Sequence, residues 1–417
     1  MSFARLTLSA SAASVLALSL GVGLGMGLHA CGGAPPDSPA AAQPPADQNA
    51  ANAADPNAGA AEAGAAEGEE EEELVVEDDD ESDEGVDTEL EVDLYAPLTD
   101  EQKAVFLAGE TEEWISTEEH YIKTNERRHD VWFPYIADKG GAYVGVAADQ
   151  NYTLIAVAKS EYVFLMDLDW RVAELHRAYE VLIEASEDPQ TLHQRWHKDN
   201  KDESYALIEN ALKDELSPEH LRKTMMSWTS ARETVYRHLK NVIARDEGGV
   251  NTSWLSNPEY YAHIRELYLA DRVRFLVGNL TGPTTVQTIA KVSGELGVPV
   301  KLLYLSNAEE YYSYTGQYRE NVRALPIADD SVVLRTIYGD KFVHADSLWN
   351  YQVQPLADYQ ARLEDRALGG SRNPMMRIAE KAGELQRDAE GVKGLSHLNM
   401  AMLDGAAEAA PEAADPG

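Results

Sequence analysis

Five apolar runs lie between residues 142 and 338 of this 417-residue chain: AYVGVA (142–147), YVFLMDL (162–168), VRFLVGNL (273–280), VKLLYLS (300–306) and SVVLRTIY (331–338). Each has the length of a buried strand. The first four are near-continuous rather than alternating, as in strands covered on both faces. Helix-forming stretches separate these four, which predicts a parallel sheet with right-handed crossovers. The fifth run and its sequel, SVVLRTIYGDKFVHADSLWNYQVQPL, read as a strand returning on itself with Tyr-Gly-Asp in the turn. The fold class expected is therefore α/β, a mostly parallel sheet ending in an antiparallel hairpin.

Between and before these runs the pattern is helical. Thr99–Lys139 reads as mostly helix, started by Thr99 as N-cap with acids in the first turn and stopped at Gly140-Gly141. Residues 186–249 are too long for a simple crossover. They are charged, rich in helix formers and broken at Ser217-Pro218, which predicts a helical insertion of two or three helices. One α/β domain over 95–403 accounts for all of these signals.

The flanks differ in kind. Residues 32–94 carry 21 acidic side chains and no Lys or Arg, including EGEEEEELVVEDDDESDEG, out of a formal net charge of −37 for the whole chain. Such a low-complexity segment buries too little apolar surface to offset chain entropy, so 31–94 is expected to be a disordered acidic linker and 404–417 a disordered tail. As a flexible coil the linker spans about 45 Å, and like-charge repulsion extends it. No basic surface is present to neutralise phosphates, which excludes nucleic acid as an expected partner.

At the N-terminus, MSFAR is followed by an uncharged apolar run that ends in Leu28-His29-Ala30-Cys31-Gly32. A basic start, an apolar core and small residues make residues 1–30 a secretory signal peptide. Its ending resembles the lipobox of bacterial lipoproteins, in which the cysteine is lipidated. Cys31 is the single cysteine of the chain and falls where that motif needs it. The alternative is an uncleaved anchor, since the run is long enough to span a bilayer. Both readings place the domain outside the cytoplasm, as a membrane-anchored protein of the cell envelope without disulfides.

Ligands of open α/β sheets bind at the carboxyl ends of the strands. Those positions hold Asp149, Gln150 and Asn151 after the first run, Asp167 and Asp169 at the second, and Asn279 and Thr281 at the third. Ser306, Asn307 and Glu309 follow the fourth, and Arg335 lies inside the fifth. Asp149 either faces a ligand or caps the next helix. Asp167 or Asp169 suits ribose hydroxyls, the other serving as a cap. Arg335 either finds a buried acidic partner or sits at an edge facing water. His193 and His197, in LHQRWH, would share a helix face and could bind a metal with Asp199 or Asp202, but no third ligand is evident and an exposed helical pair is the simpler account. The single glycine of LTGPTT (280–285) does not make a phosphate cradle.

YVGVAADQNYTLIAVAKSEYVFLMDLDW, WLSNPEYYAHIRELYLADRVRFLVGNLTG and VKLLYLSNAEEYYSYTGQYRENVRALPIADDSVVLRT together resemble a family of uncharacterised bacterial proteins similar to Rossmann-like S-adenosylmethionine-dependent methyltransferases. The resemblance runs from about Thr117 to Tyr359 and implies a seven-stranded sheet with an antiparallel final strand. It implies that Gly145, Asp149, Gln150 and Asn151 face the methionine part of S-adenosylmethionine, with Asp167 or Asp169 at the ribose and Asn279 near the adenine. Ser306, Asn307 and Glu309 would then lie at the transferred methyl group. Ala147-Ala148 stands where glycines let such a cofactor lie on the backbone, and Asn279 where an aspartate is common. An exported domain is also separated from a cofactor made in the cytoplasm. The expectation is a lipid-anchored, methyltransferase-like binding module for a small polar or nucleoside-like ligand or an envelope protein, with an active methyltransferase as the alternative and a carboxylate hydrolase as a third reading. Metabolic labelling with palmitate should mark the wild-type protein and not Cys31→Ser; equal labelling of both would remove the lipid anchor.

Overall fold

A computed structural model of the protein describes residues 95–118, 120–339, 341–365 and 370–403. The predicted signal peptide, Cys31, the acidic linker and the tail lie outside the described residues. Among the described residues no helix is long and apolar enough to cross a membrane.

The chain begins with α1 (Asp100–Phe106), started by a capping box in which Thr99 and Gln102 satisfy each other's backbone N–H groups. Residues 107–128 then run largely without regular structure, a single 3-10 turn (His129–Trp132) follows, and α2 (Phe133–Ile136) is one turn long. The helix expected over Thr99–Lys139 is thus mostly an extended strap. Its acids and aromatics are spent on tertiary contacts rather than on one amphipathic face.

Strand β1 (Ala142–Val146) leads to α3 (Gln150–Ala158), β2 (Tyr162–Asp167) and α4 (Trp170–Glu184). The long interval that follows holds α5 (Pro189–Arg195), α6 (Lys201–Leu212), α7 (Pro218–Ile243) and a two-residue ribbon of β3 (Asp246–Glu247) and β4 (Val250–Asn251). After α8 (Pro258–Leu269) come β5 (Val273–Val277), α9 (Thr285–Leu296), β6 (Val300–Tyr304), α10 (Gly316–Ala324) and β7 (Val332–Ile337). The chain closes with β8 (Asn350–Pro355), α11 (Leu356–Glu364), α12 (Arg372–Ala382), β9 (Leu385–Arg387) and β10 (Leu395–Leu398). Helices α5, α7 and α8 start alike, with Asp188, Ser217 or Asn257 as the cap and proline at the first helical position, where its missing N–H costs nothing.

The main sheet has the order β5-β2-β1-β6-β7-β8-β10-β9. Its first five members are parallel, as the continuous apolar runs predict. The antiparallel β7–β8 pair is present, but its register closes at Ile337↔Asn350, so residues 338–349 connect the strands rather than a tight Tyr-Gly-Asp turn. Strands β9 and β10 extend the sheet further, antiparallel to each other. They are too short and too polar to register as apolar runs. The expected mixed α/β, Rossmann-like sheet is thus present, with eight strands.

Side chains alternate between two cores, one per face. Tyr143, Val163, Leu165 and Leu302 pack with α3, α4, α7 and α8, whereas Val144, Phe164, Met166 and Leu303 pack with α9, α10 and α11. Arg335 points from β7 with no exposure at all and resolves the alternatives left by the sequence. Its Nε lies 3.1 Å from Glu309 Oε2, its Nη2 donates to Gln354 Oε1 at 2.8 Å, and its guanidinium covers the Tyr359 ring at 4.6 Å. Hydroxyls of Tyr314 and Tyr359 donate to the other Glu309 oxygen. Arg335→Leu leaves that carboxylate buried without a counter-charge and should cost about 3–5 kcal/mol in chemical denaturation. The double variant Glu309→Gln/Arg335→Leu should recover part of the loss; additive losses would dissolve the coupling.

Candidate functional site

The carboxyl ends of the parallel strands are where the topology focuses chemistry, with the switch point between β1 and β6. Both strands end on residues in left-handed conformation that are not glycine, Ala147 at φ +69° and Ser306 at φ +49°. Such backbone costs on the order of 1 kcal/mol each and persists where neighbours dictate it. Ala147 is held through its carbonyl, which accepts from His176 Nε2 at 2.8 Å. Burial pushes the His176 imidazole down to about 4, so it sits neutral between that carbonyl and Tyr152. Ser306 is held through its carbonyl, which accepts from Thr336 N, and through its hydroxyl, which donates to Glu126 at 2.6 Å.

The turn after β1 is filled by its own side chains. Asn151 is fully buried and folds back over the strand. Its Nδ2 donates to the carbonyls of Val146 and Ala148, and its Oδ1 accepts from Tyr143 Oη at 2.8 Å. A Cβ on Gly145 would fall 2.1 Å from that Oδ1, which is why glycine occupies this strand position. The side chain of Asp149 makes no capping bond; it crosses to the insertion, accepting from His238 Nε2 at 2.8 Å and Trp254 Nε1 at 3.3 Å. Burial raises the Asp149 carboxyl, yet His238 and Arg245 outweigh it and hold it below the usual carboxylate range. Gln150 is buried, with its Nε2 3.4 Å from Tyr304 Oη and its Oε1 without a partner.

Beyond the turn, the strap meets one strand end after another, in sheet order. At β5 the carboxylate of Glu112 sits on the start of α9, accepting from the N–H groups of Thr284 at 2.9 Å and Thr285 at 3.1 Å and, more weakly, Asn279. The single glycine of LTGPTT lies against this carboxylate, and a Cβ on Gly282 would fall 2.4 Å from Glu112 Oε1. Asn279 closes the same loop by accepting from Thr281 N and Oγ1. At β2, Asp169 caps α4 through Arg171 N and accepts from Thr117 and His120 of the strap. Asp167 beside it accepts from Asp169 N at 2.8 Å. Burial pushes the Asp167 carboxyl up to about 7 despite that bond.

At β6 and β7 the strap delivers Glu126, which the sequence did not single out. This carboxylate is 1 % exposed and accepts four hydrogen bonds, from His129 Nε2 (2.9 Å), Tyr304 Oη (2.7 Å), Ser306 Oγ (2.6 Å) and Thr336 Oγ1 (2.9 Å). Desolvation raises it, but these donors dominate and keep it below the usual range. Only the run of hydroxyl residues at the strand ends, Tyr304, Ser306 and Thr336, hinted that an acceptor had to arrive. Of the other candidates near β6, Glu309 belongs to the buried pair with Arg335, and Asn307 Nδ2 lies 3.5 Å from Tyr311 Oη.

His193 and His197 do not share a helix face. His193 is buried, stacked on Tyr236 at 4.3 Å and donating to its carbonyl, whereas His197 lies beyond α5 and caps the following turn. Among the described residues no three His, Cys, Asp or Glu side chains are placed to hold a metal ion.

Residues 121–399 match a family described as a domain of unknown function, DUF7790. The chain belongs to that family. No curated protein matches it. The match begins at Tyr121, so the part of the strap that carries Glu126 lies inside the DUF7790 region and the part that carries Glu112 precedes it. Glu126→Ala leaves four donors, three of them buried, without this acceptor and should lower stability by on the order of 3 kcal/mol at neutral pH. Because the folded-state value of Glu126 is depressed, its contribution is complete above the unfolded value near 4.5 and fades as pH falls below it. Thermal melts of wild type and variant should therefore converge toward pH 3; a gap independent of pH would refute a charged Glu126.

Proposed function

We propose that this protein is a lipid-anchored binding module of the cell envelope whose methyltransferase-like domain has given up methyl transfer. The observation that carries this reading is the strap. From Glu112 to Glu126 it lays the protein's own side chains on the ends of β5, β2, β6 and β7, where a Rossmann-like sheet would receive a nucleoside cofactor.

Several of the polar groups such a cofactor would need are engaged. A ribose diol needs a free carboxylate, whereas Asp169 holds Arg171 N, Thr117 and His120. A methionine moiety needs open backbone at the turn, whereas the Asn151 carboxamide lies over Gly145. The donors of Ser306 and Thr336 are committed to Glu126. Replacing this network would expose several buried charge-assisted bonds, each worth about 1.5–3 kcal/mol, and a ligand would have to match them. The signal peptide and Cys31 supply the localisation part of the proposal, and the acidic 32–94 segment supplies the spacer.

Calorimetry of the purified full chain with S-adenosylmethionine and S-adenosylhomocysteine decides the question. The proposal expects no saturable heat at about 1 mM ligand. Micromolar binding would overturn it and restore the active methyltransferase as the working description.

A further inference from the structure

The strap leaves one part of the strand-end edge open. Beyond β6 and β7, the loop after β6, Tyr338 after β7 and the start of α12 line an open cleft of about 540 Å³, within the size of small-ligand sites. Its walls include Tyr311 and Tyr338, which are 64 % and 51 % exposed. Most tyrosines of the domain are buried, so two open rings at one cleft are not explained by core packing.

The polar part of the lining is a matched pair rather than a net charge. Arg372 is 7 % exposed; its Nη2 donates to Glu310 Oε1 at 3.0 Å and its Nη1 to the Thr336 carbonyl at 3.3 Å. Glu310 also accepts from Tyr338 N at 3.3 Å. Ser371 precedes α12 without making a side-chain capping bond, and Asn373 adds a carboxamide to the same lining. The neighbouring Glu309–Arg335 pair is likewise neutral as a unit.

We propose that this cleft is a saccharide-binding site. A lone anion would want an uncompensated cation, but Arg372 is already paired with Glu310. A ligand whose hydroxyls both donate and accept matches an acid–guanidinium pair, a serine hydroxyl and a carboxamide together. The C–H face of a pyranose ring matches an exposed tyrosine face, with the phenol as a polar handle at its rim. The inference rests on reading this edge as a binding module, and it gives that module a chemical class of ligand.

The test titrates the full chain by calorimetry with maltotriose, with triacetylchitotriose and with inorganic phosphate, and repeats it with Tyr311→Ala/Tyr338→Ala. Both tyrosines are exposed, so the variant should fold, and its melting temperature checks that. One trisaccharide should bind with a Kd of about 10 mM or tighter, weakened roughly tenfold in the variant. No trisaccharide heat, equal affinity in the variant, or phosphate binding more tightly than either sugar would each overturn the site. The result is independent of S-adenosylmethionine titration, so failure of the sugar site and failure of the non-catalytic reading remain distinct.

Discussion

A buried carboxylate without donors, or buried hydroxyls without an acceptor, would each cost more than this fold can spare, and the carboxyl edge of the sheet is built around that constraint. Tyr304, Ser306 and Thr336 bring three hydroxyls to the ends of two adjacent strands. Glu126 answers them, and His129 from the same segment supplies a further hydrogen bond. Once that carboxylate is fixed, the strap before it must cross the sheet edge. Along that path Thr117 and His120 meet Asp169, and Glu112 meets the start of α9. The order of these contacts along the chain follows the order of the strands in the sheet.

At this edge the protein's own side chains stand where Rossmann-like sheets commonly meet their ligands. In a Rossmann-like sheet the N–H groups at helix starts and the acids at strand ends wait for phosphate, ribose or carboxylate. Here the helix start at α9 receives Glu112, the acid at β2 receives strap donors, and the turn after β1 receives Asn151. The left-handed Ala147 and Ser306 mark the two strand ends at the switch point, and each is held by bonds from outside its own strand. Such strain is common at ligand sites. In this protein His176, Thr336 and Glu126, rather than a ligand, hold it in place.

A second charged device lies one strand further on. Glu309 and Arg335 are both fully buried, and hydroxyls of Tyr314 and Tyr359 complete the shell. A pair of this kind contributes less to net stability than to fixing how β6, β7 and α11 sit together, because desolvation offsets much of the attraction. It also sets the back wall for the open region beside Tyr311, Tyr338 and Arg372. The stretch of edge beside Tyr311 and Tyr338 is thus backed by an internally neutral buried pair.

The parallel strands were legible because their burial on both faces writes continuous apolar runs, and the β7–β8 pairing because a further run follows at hairpin distance. The cap at Thr99 was legible for an equally local reason, since a cap bonds within its own first turn. The strap was not, because Glu112, Thr117 and Glu126 are ordinary polar residues until the sheet brings distant partners to them; their partners at the strand ends and the start of α9 lie 52 to 210 positions away. Asp149 shows the same limit: its position beside a helix start suggested a cap, but His238, 89 residues on, took the carboxylate. Local pattern by itself determined the five apolar strands, the helix start at Thr99 and which strand ends carry polar groups. Only the tertiary structure decided what those groups bond to, because hydrogen bonding at the sheet edge depends on spatial proximity that sequence separation does not encode.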